Sequence, residues 1–122
     1  MADDQKRVLI VEDEKPLSHA MELKLKSVGF ATTVATNGQE ALDMLKHQEF
    51  DVMLLDLMMP NVDGFQVLQQ IQSLDNKPPT VFVLSNLSQH EDEEKVLSLG
   101  AKKFFIKSDT SLSTIVEEVK NA

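Results

Sequence analysis

With 122 residues the chain has room for one hydrophobic core and too few for two ordinary ones, so residues 1–122 are read as one domain. A formal charge of -8 argues against a surface for nucleic acid or anionic membrane, since both reward clustered Lys and Arg, and suits metal cations or basic partners. The absence of Cys excludes disulfides, thiolate metal sites and thiol redox chemistry, while the polar stretch Met1 to Arg7 and the lack of a span-length apolar run predict a soluble, unexported, cytoplasmic chain.

Short apolar runs alternate with longer amphipathic stretches, the pattern of repeated βα units and a parallel sheet, and five such units can be counted. Val8 to Val11 is a continuous β-branched and aliphatic run suited to a strand covered on both faces. Pro16 fits the first turn of the next helix, with Leu17, Ala20, Met21, Leu25 and Val28 at helical spacing and Gly29 ending it. Ala31 to Ala35 predicts a weaker strand, placed at an edge, and Asn37-Gly38 starts a helix carrying Ala41, Leu42 and Leu45. Asp51 to Asp56 is a third strand whose apolar centre ends in a carboxylate. A loop from Met58 to Gly64, its backbone marked non-helical by Pro60 and Gly64, leads into a helix with Phe65, Val67, Leu68 and Ile71 as its apolar face. Then come a strand Thr80 to Leu84, a helix near His90 to Leu99, a strand Lys103 to Ile106 and a last helix roughly from Ser111 to Asn121. No repeat, low-complexity run or linker marks a domain boundary.

In open parallel sheets, ligands bind outside the carboxyl ends of the strands, where the crossover loops converge. Here the first strand ends in Glu12-Asp13-Glu14, the third in Asp56, the fourth in Ser85 and the fifth in Lys107. Carboxylates brought this close repel one another and need a cation or proton to coexist, and oxygen-only ligands favour a hard ion such as Mg²⁺. Lys107 and Ser85 suit an anionic group on or near Asp56, the ammonium pairing with one oxygen and the hydroxyl donating to another.

These segments resemble the receiver domain of two-component response regulators, over nearly the whole chain from Arg7 to the last helix. Val11-Glu12-Asp13-Glu14 is similar to the family's acidic pair, Leu54-Leu55-Asp56-Leu57-Met58-Met59-Pro60 and Asp63-Gly64 to its phosphorylation segment, and Leu84-Ser85 to its hydroxyl switch position. Gly100-Ala101 and Phe104-Phe105-Ile106-Lys107 complete the pattern. The resemblance implies a single doubly wound (βα)5, flavodoxin-like α/β domain with a parallel five-stranded sheet of order 2-1-3-4-5. It implies Asp13 and Asp56 as direct Mg²⁺ ligands, Glu12 acting mostly through water, and Met58 contributing its main-chain carbonyl. It further implies that Asp56 takes a phosphoryl group from a phosphohistidine on a sensor histidine kinase or phosphotransfer protein, with Lys107 neutralising charge. Ser85 then bonds a phosphoryl oxygen and Phe104 repacks inward, altering the face of the fourth helix, fifth strand and fifth helix. That face would meet an unidentified output partner, or a second copy in a dimer. The domain would act as a regulatory phosphoacceptor rather than an enzyme, assisting only its own phosphorylation and slow self-dephosphorylation.

Taken singly, each strand-end acid reads as a solvated loop carboxylate, Lys107 as an exposed lysine and Ser85 as a turn hydroxyl. Their convergence on one rim argues otherwise. Phe104 is either the switch aromatic or a plain core aromatic, and Phe105 could share the role. Met58-Met59 is most simply loop packing, His19, His47 and His90 read as surface residues, and His90 to Lys95 as a solvated first turn with its acids at the helix amino end. Two features depart from the family pattern. Ser108 stands where proline with a cis peptide usually follows the lysine, which predicts a trans Lys107-Ser108 bond. Met58 and Leu87, which family geometry puts beside the path of hydrolytic water, are apolar and cannot orient it, which predicts a long-lived phosphoryl group. Among rival functions, an Asp-dependent Mg²⁺ phosphatase would need a second acid at Met58, and a flavin carrier a phosphate-cradling loop where Glu12-Asp13-Glu14 stands. A receiver-like interaction module that accepts no phosphate is the remaining alternative. No DNA-binding element is recognisable, so a transcriptional role would need sequence outside these residues.

Overall fold

The computed structural model describes residues 5–59, 63–74, 77–86 and 90–122, the side chains at 90 and 91 excepted. Strands β1 (Arg7–Val11), β2 (Ala31–Ala35), β3 (Val52–Asp56), β4 (Thr80–Ser85) and β5 (Lys103–Ile106) pair in parallel, in the order β2-β1-β3-β4-β5. They alternate with helices α1 (Lys15–Ser27), α2 (Gly38–His47), α3 (Gly64–Ile71), α4 (His90–Ser98) and α5 (Leu112–Lys120). This is the flavodoxin-like order that the resemblance implies, with β2 and β5 at the edges.

Burial follows the order. Every residue of β3 is buried, and so are all but the first residues of β1 and β4, which is why these strands read as unbroken apolar runs. The edge strands β2 and β5 are mostly half-buried and read more weakly. Successive side chains point to opposite faces. Leu9, Val11, Met53, Leu55 and Val83 pack with Leu42 of α2, Leu68 of α3 and Val96 of α4. Val8, Ile10, Leu54, Phe82 and Leu84 pack with Met21 and Leu25 of α1 and with Val116 and Val119 of α5.

Side-chain caps fix where three of the helices begin. Asn37 accepts from the amide of Glu40 to start α2, Ser111 accepts from Thr114 to start α5, and Asp63 and Gln66 form a reciprocal capping box at α3. Helix α1 has no side-chain cap on Glu14 but carries Pro16 in its first turn. Val28, expected on the buried face of this helix, is instead exposed as its C-cap, and Phe30 is buried beyond it. Val28 is the cap of the last turn, and Gly29 after it, with a φ of 99°, turns the chain toward buried Phe30. After β5 comes a 3-10 turn, Lys107–Asp109. Peptide bonds among the described residues are trans, Lys107-Ser108 included.

One close approach holds the segment after β3. The Gly64 amide donates to the Leu57 carbonyl at 3.2 Å, and a Cβ on Gly64 would lie 2.6 Å from the Asp56 carbonyl oxygen and 2.7 Å from the Leu57 Cα. Backbone cannot yield cheaply, so Gly64→Ala is expected to destabilise the protein by about 1–3 kcal/mol. The check is urea unfolding, where the midpoint should fall with an unchanged slope.

Candidate functional site

The topology carries four chain segments to one rim. Leaving β1, Glu12 donates its amide to the Ala35 carbonyl at 3.0 Å, which turns its side chain inward, and the residue is only 1% exposed. Asp13 beside it is exposed. Asp56 closes β3 and is buried, and Ser85 closes β4 and is fully buried. Ser85 lies in register with Ile106, so Lys107 emerges one residue further along the neighbouring strand. Its ammonium reaches back across the rim, 2.8 Å from Glu12 Oε1, 3.2 Å from Asp56 Oδ2 and 3.6 Å from Glu14 Oε1. Backbone donors finish the cluster: the Met58 N–H donates to Asp56 Oδ1 and the Glu14 N–H to Glu12 Oε2, both at 3.1 Å.

Acidic groups outnumber cations here, and burial sharpens the imbalance. Desolvation pushes the Glu12 carboxyl from 4.5 up to about 7, with the Asp56 charge adding to the rise and Lys107 opposing it. The Asp56 carboxyl is also raised by burial, against the pull of Lys107 and of the Met58 amide. Burial acts to lower the Lys107 ammonium, but its bonds to Glu12 and Asp56 outweigh that and leave it raised.

This set fits a hard divalent ion. Carboxylate oxygens of Glu12, Asp13 and Asp56 lie within 4.8 Å of one another. Glu12 Oε1 is buried with no aligned hydrogen bond, its ion contact with Lys107 apart, so the site leaves acceptor capacity unused. Because a cation binding here must displace the proton that Glu12 holds below about pH 7, Mg²⁺ affinity is expected to rise with pH up to that point and level off above it. Calorimetric titration at about pH 6 and about pH 8 should show roughly tenfold tighter binding at the higher value, for one displaced proton.

Glu12, Asp13, Asp56 and Lys107 thus converge as the sequence predicts. Phe104 and Phe105, which the sequence could not separate, face opposite ways. Half-buried Phe104 packs on the core beneath α2, α3 and α4, whereas Phe105 stands on the α1 and α5 face with its ring centroid 6.1 Å from that of Phe82. The loop-packing reading holds for Met59, which is buried, and fails for Met58, whose side chain is exposed to solvent. His19 and His47 are exposed; Pro60, Leu87 and the side chain of His90 lie outside the described residues. Sequence reasoning missed the tie from Glu14 to Lys107. Its signal was available, since Glu is a poor cap for its own helix and is left free to reach another cation. It also missed Lys95 of α4, whose ammonium sits 4.4 Å from the centre of the Phe65 ring at the start of α3.

Fold and site together define a doubly wound α/β domain with an acidic cluster at the carboxyl ends of its strands, and comparison with known proteins makes the assignment specific. The family model of the response regulator receiver domain matches residues 8–120, and the chain belongs to that family. Among curated relatives, it is 34% identical over 101 residues to the cell cycle response regulator CtrA of Brucella ovis, a match covering 83% of this chain and 43% of that protein. It is 33% identical over 105 residues to the probable transcriptional regulator ycf27 of Guillardia theta, covering 86% of this chain and 41% of that one. The matched segment therefore spans less than half the length of these relatives. Among solved structures, a response regulator receiver protein from Pseudomonas putida superposes with a TM-score of 0.89 at 27% identity, covering 97% of this chain and 98% of the other. The Francisella response regulator 1452 receiver domain does so with a TM-score of 0.86 at 28% identity, covering 96% and 95%. No helix of the described residues is long and apolar enough to cross a membrane.

Proposed function

We propose that residues 1–122 form one cytoplasmic receiver in which Asp56 accepts a phosphoryl group from a phosphohistidine on a sensor histidine kinase or phosphotransfer protein. The observation that carries this reading is the Asp56 carboxylate itself, buried at a strand end with Oδ2 held 3.2 Å from Lys107 and Oδ1 held by the Met58 amide. In the transfer a carboxylate oxygen forms the O–P bond as the P–N bond to imidazole breaks, and the imidazole leaves with that electron pair and takes up a proton. Lys107 draws charge from the transferring oxygens, and the Met58 amide fixes the carboxylate plane. Mg²⁺, held by Asp13, Asp56, the Met58 carbonyl and, through water, Glu12, would neutralise charge on the transferring group.

The product is an acyl phosphate. Ser85, at the end of β4, bonds a phosphoryl oxygen, and Phe104 moves deeper into the core it already touches beneath α4. The α4–β5–α5 face changes in consequence, for an output partner or a second copy. Incubation with acetyl phosphate and Mg²⁺ followed by intact mass tests the proposal: one phosphoryl group should be gained by the protein and none by Asp56→Asn. An equal gain by both would reassign the acceptor, and no gain under conditions that charge a control receiver would leave an interaction module.

A further inference from the structure

We propose that the Met58 thioether is a site of reversible oxidation, and that its sulfoxide shortens the life of the phosphoryl group on Asp56. The inference rests on the reading of Asp56 as phosphoacceptor, but its first step stands apart from that reading. Among the described methionines Met21, Met53 and Met59 are buried and Met44 is half-buried, whereas Met58 is 60% exposed. Thioether oxidation needs an oxidant to reach the sulfur lone pair, so exposure selects the residue. With a peroxide the S–O bond forms as the O–O bond breaks; sulfur is oxidised, the peroxide oxygen is reduced, and water or an alcohol leaves. Methionine sulfoxide reductases reverse the change.

The location gives the change a consequence. Met58 lies two residues after Asp56, and its own amide holds Asp56 Oδ1 at 3.1 Å, so its side chain leaves the backbone at the rim of the acceptor site. As a thioether it is a poor hydrogen-bond acceptor and cannot orient a water beside an acyl phosphate. The sulfoxide oxygen accepts strongly, and a water bonded to it is held for attack on phosphorus. Attack breaks the acyl O–P bond and returns the Asp56 carboxylate and inorganic phosphate, with the sulfoxide unconsumed. Oxidant and kinase would then act on the same residue pair with opposite sign.

The test uses the whole chain and graded hydrogen peroxide, followed by tandem mass spectrometry to separate Met58 from Met59. Met58 sulfoxide should appear ahead of sulfoxide at Met21, Met44, Met53 and Met59; equal or faster oxidation of any of these overturns the site. After oxidant removal, oxidised and untreated protein are charged with acetyl phosphate and Mg²⁺, and phosphoryl loss is followed by intact mass. The oxidised form should lose it about threefold faster or more, the size expected of one water-mediated hydrogen bond. Methionine sulfoxide reductase should restore the slow decay. Met58→Leu is compared before and after the same peroxide treatment and should show no change; acceleration there would move the effect to another residue. Unchanged decay of the wild type after Met58 oxidation overturns the inference while leaving the phosphoacceptor in place. Failure of the untreated protein to charge refutes the phosphoacceptor reading and the lifetime effect together.

Discussion

Asp56→Asn is expected to abolish phosphoryl uptake and, in the same molecule, to stabilise the metal-free protein by about 1–3 kcal/mol above neutral pH. The loss of uptake follows from chemistry, because an amide oxygen is too poor a nucleophile to form the O–P bond. The gain in stability follows from crowding. Glu12 and Asp56 are both buried and share a single ammonium, at 2.8 and 3.2 Å. Asparagine keeps an oxygen for the Met58 amide and leaves Lys107 to Glu12 and Glu14, so one buried charge disappears without orphaning another.

The pH dependence fixes the sign. The folded-state value for Glu12 is raised, from 4.5 to about 7, so between those values the folded protein binds more protons than the unfolded chain. Stability of the metal-free wild type therefore falls as pH rises from 4.5 to about 7 and is lowest above that window. Removing the Asp56 charge lessens the fall, so the two curves should converge toward acid and separate toward alkali. Urea unfolding in the presence of a chelator across this range measures the difference directly. A variant less stable than wild type at alkaline pH would mean that the Lys107 pair outweighs the burial of Asp56.

This conflict between function and stability also explains what the sequence could and could not reveal. Strands β1, β3 and β4 are covered on both faces and show as uninterrupted apolar runs, and Asp56 is conspicuous because it breaks such a run. The strand-end rule then brought Glu12, Asp13, Ser85 and Lys107 to one rim without any knowledge of side-chain geometry. Helical spacing gave no warning at Val28, because the apolar period runs on to the residue before Gly29 whereas the helix already ends at Ser27. Nor could it rank the acids. Adjacent residues at a strand end face opposite sides, and only the register and the turn decide that Glu12 is buried against Lys107 while Asp13 faces solvent. Phe104 and Phe105 posed the same problem, and the alternation of the sheet resolved it.

Lys107→Met should produce the largest change of all, because it removes the ammonium that two buried carboxylates share. Lys107 is itself largely buried, its side chain 12% exposed, and its ionisation is raised above 10.5, since its bonds to Glu12 and Asp56 outweigh its burial. It therefore stays charged throughout the neutral range, and its contribution is lost only at strongly alkaline pH. Stranding both carboxylates is expected to cost about 3–5 kcal/mol in metal-free protein at alkaline pH. The loss should shrink as pH falls, because Glu12 and Asp56 then take up protons, and it should shrink again when Mg²⁺ is added. Phosphoryl uptake from acetyl phosphate should slow by roughly 100-fold, the scale of removing one donor aimed at developing charge. Lys107→Arg separates the two effects. Its charge restores much of the stability, but the planar fork cannot place one donor where a compact ammonium meets Glu12, Glu14 and Asp56 at 2.8, 3.6 and 3.2 Å. Unfolding midpoints and uptake rates measured on both variants should therefore diverge, with stability tracking charge and uptake tracking geometry; an arginine variant that charges as fast as wild type would reduce Lys107 to a counter-ion.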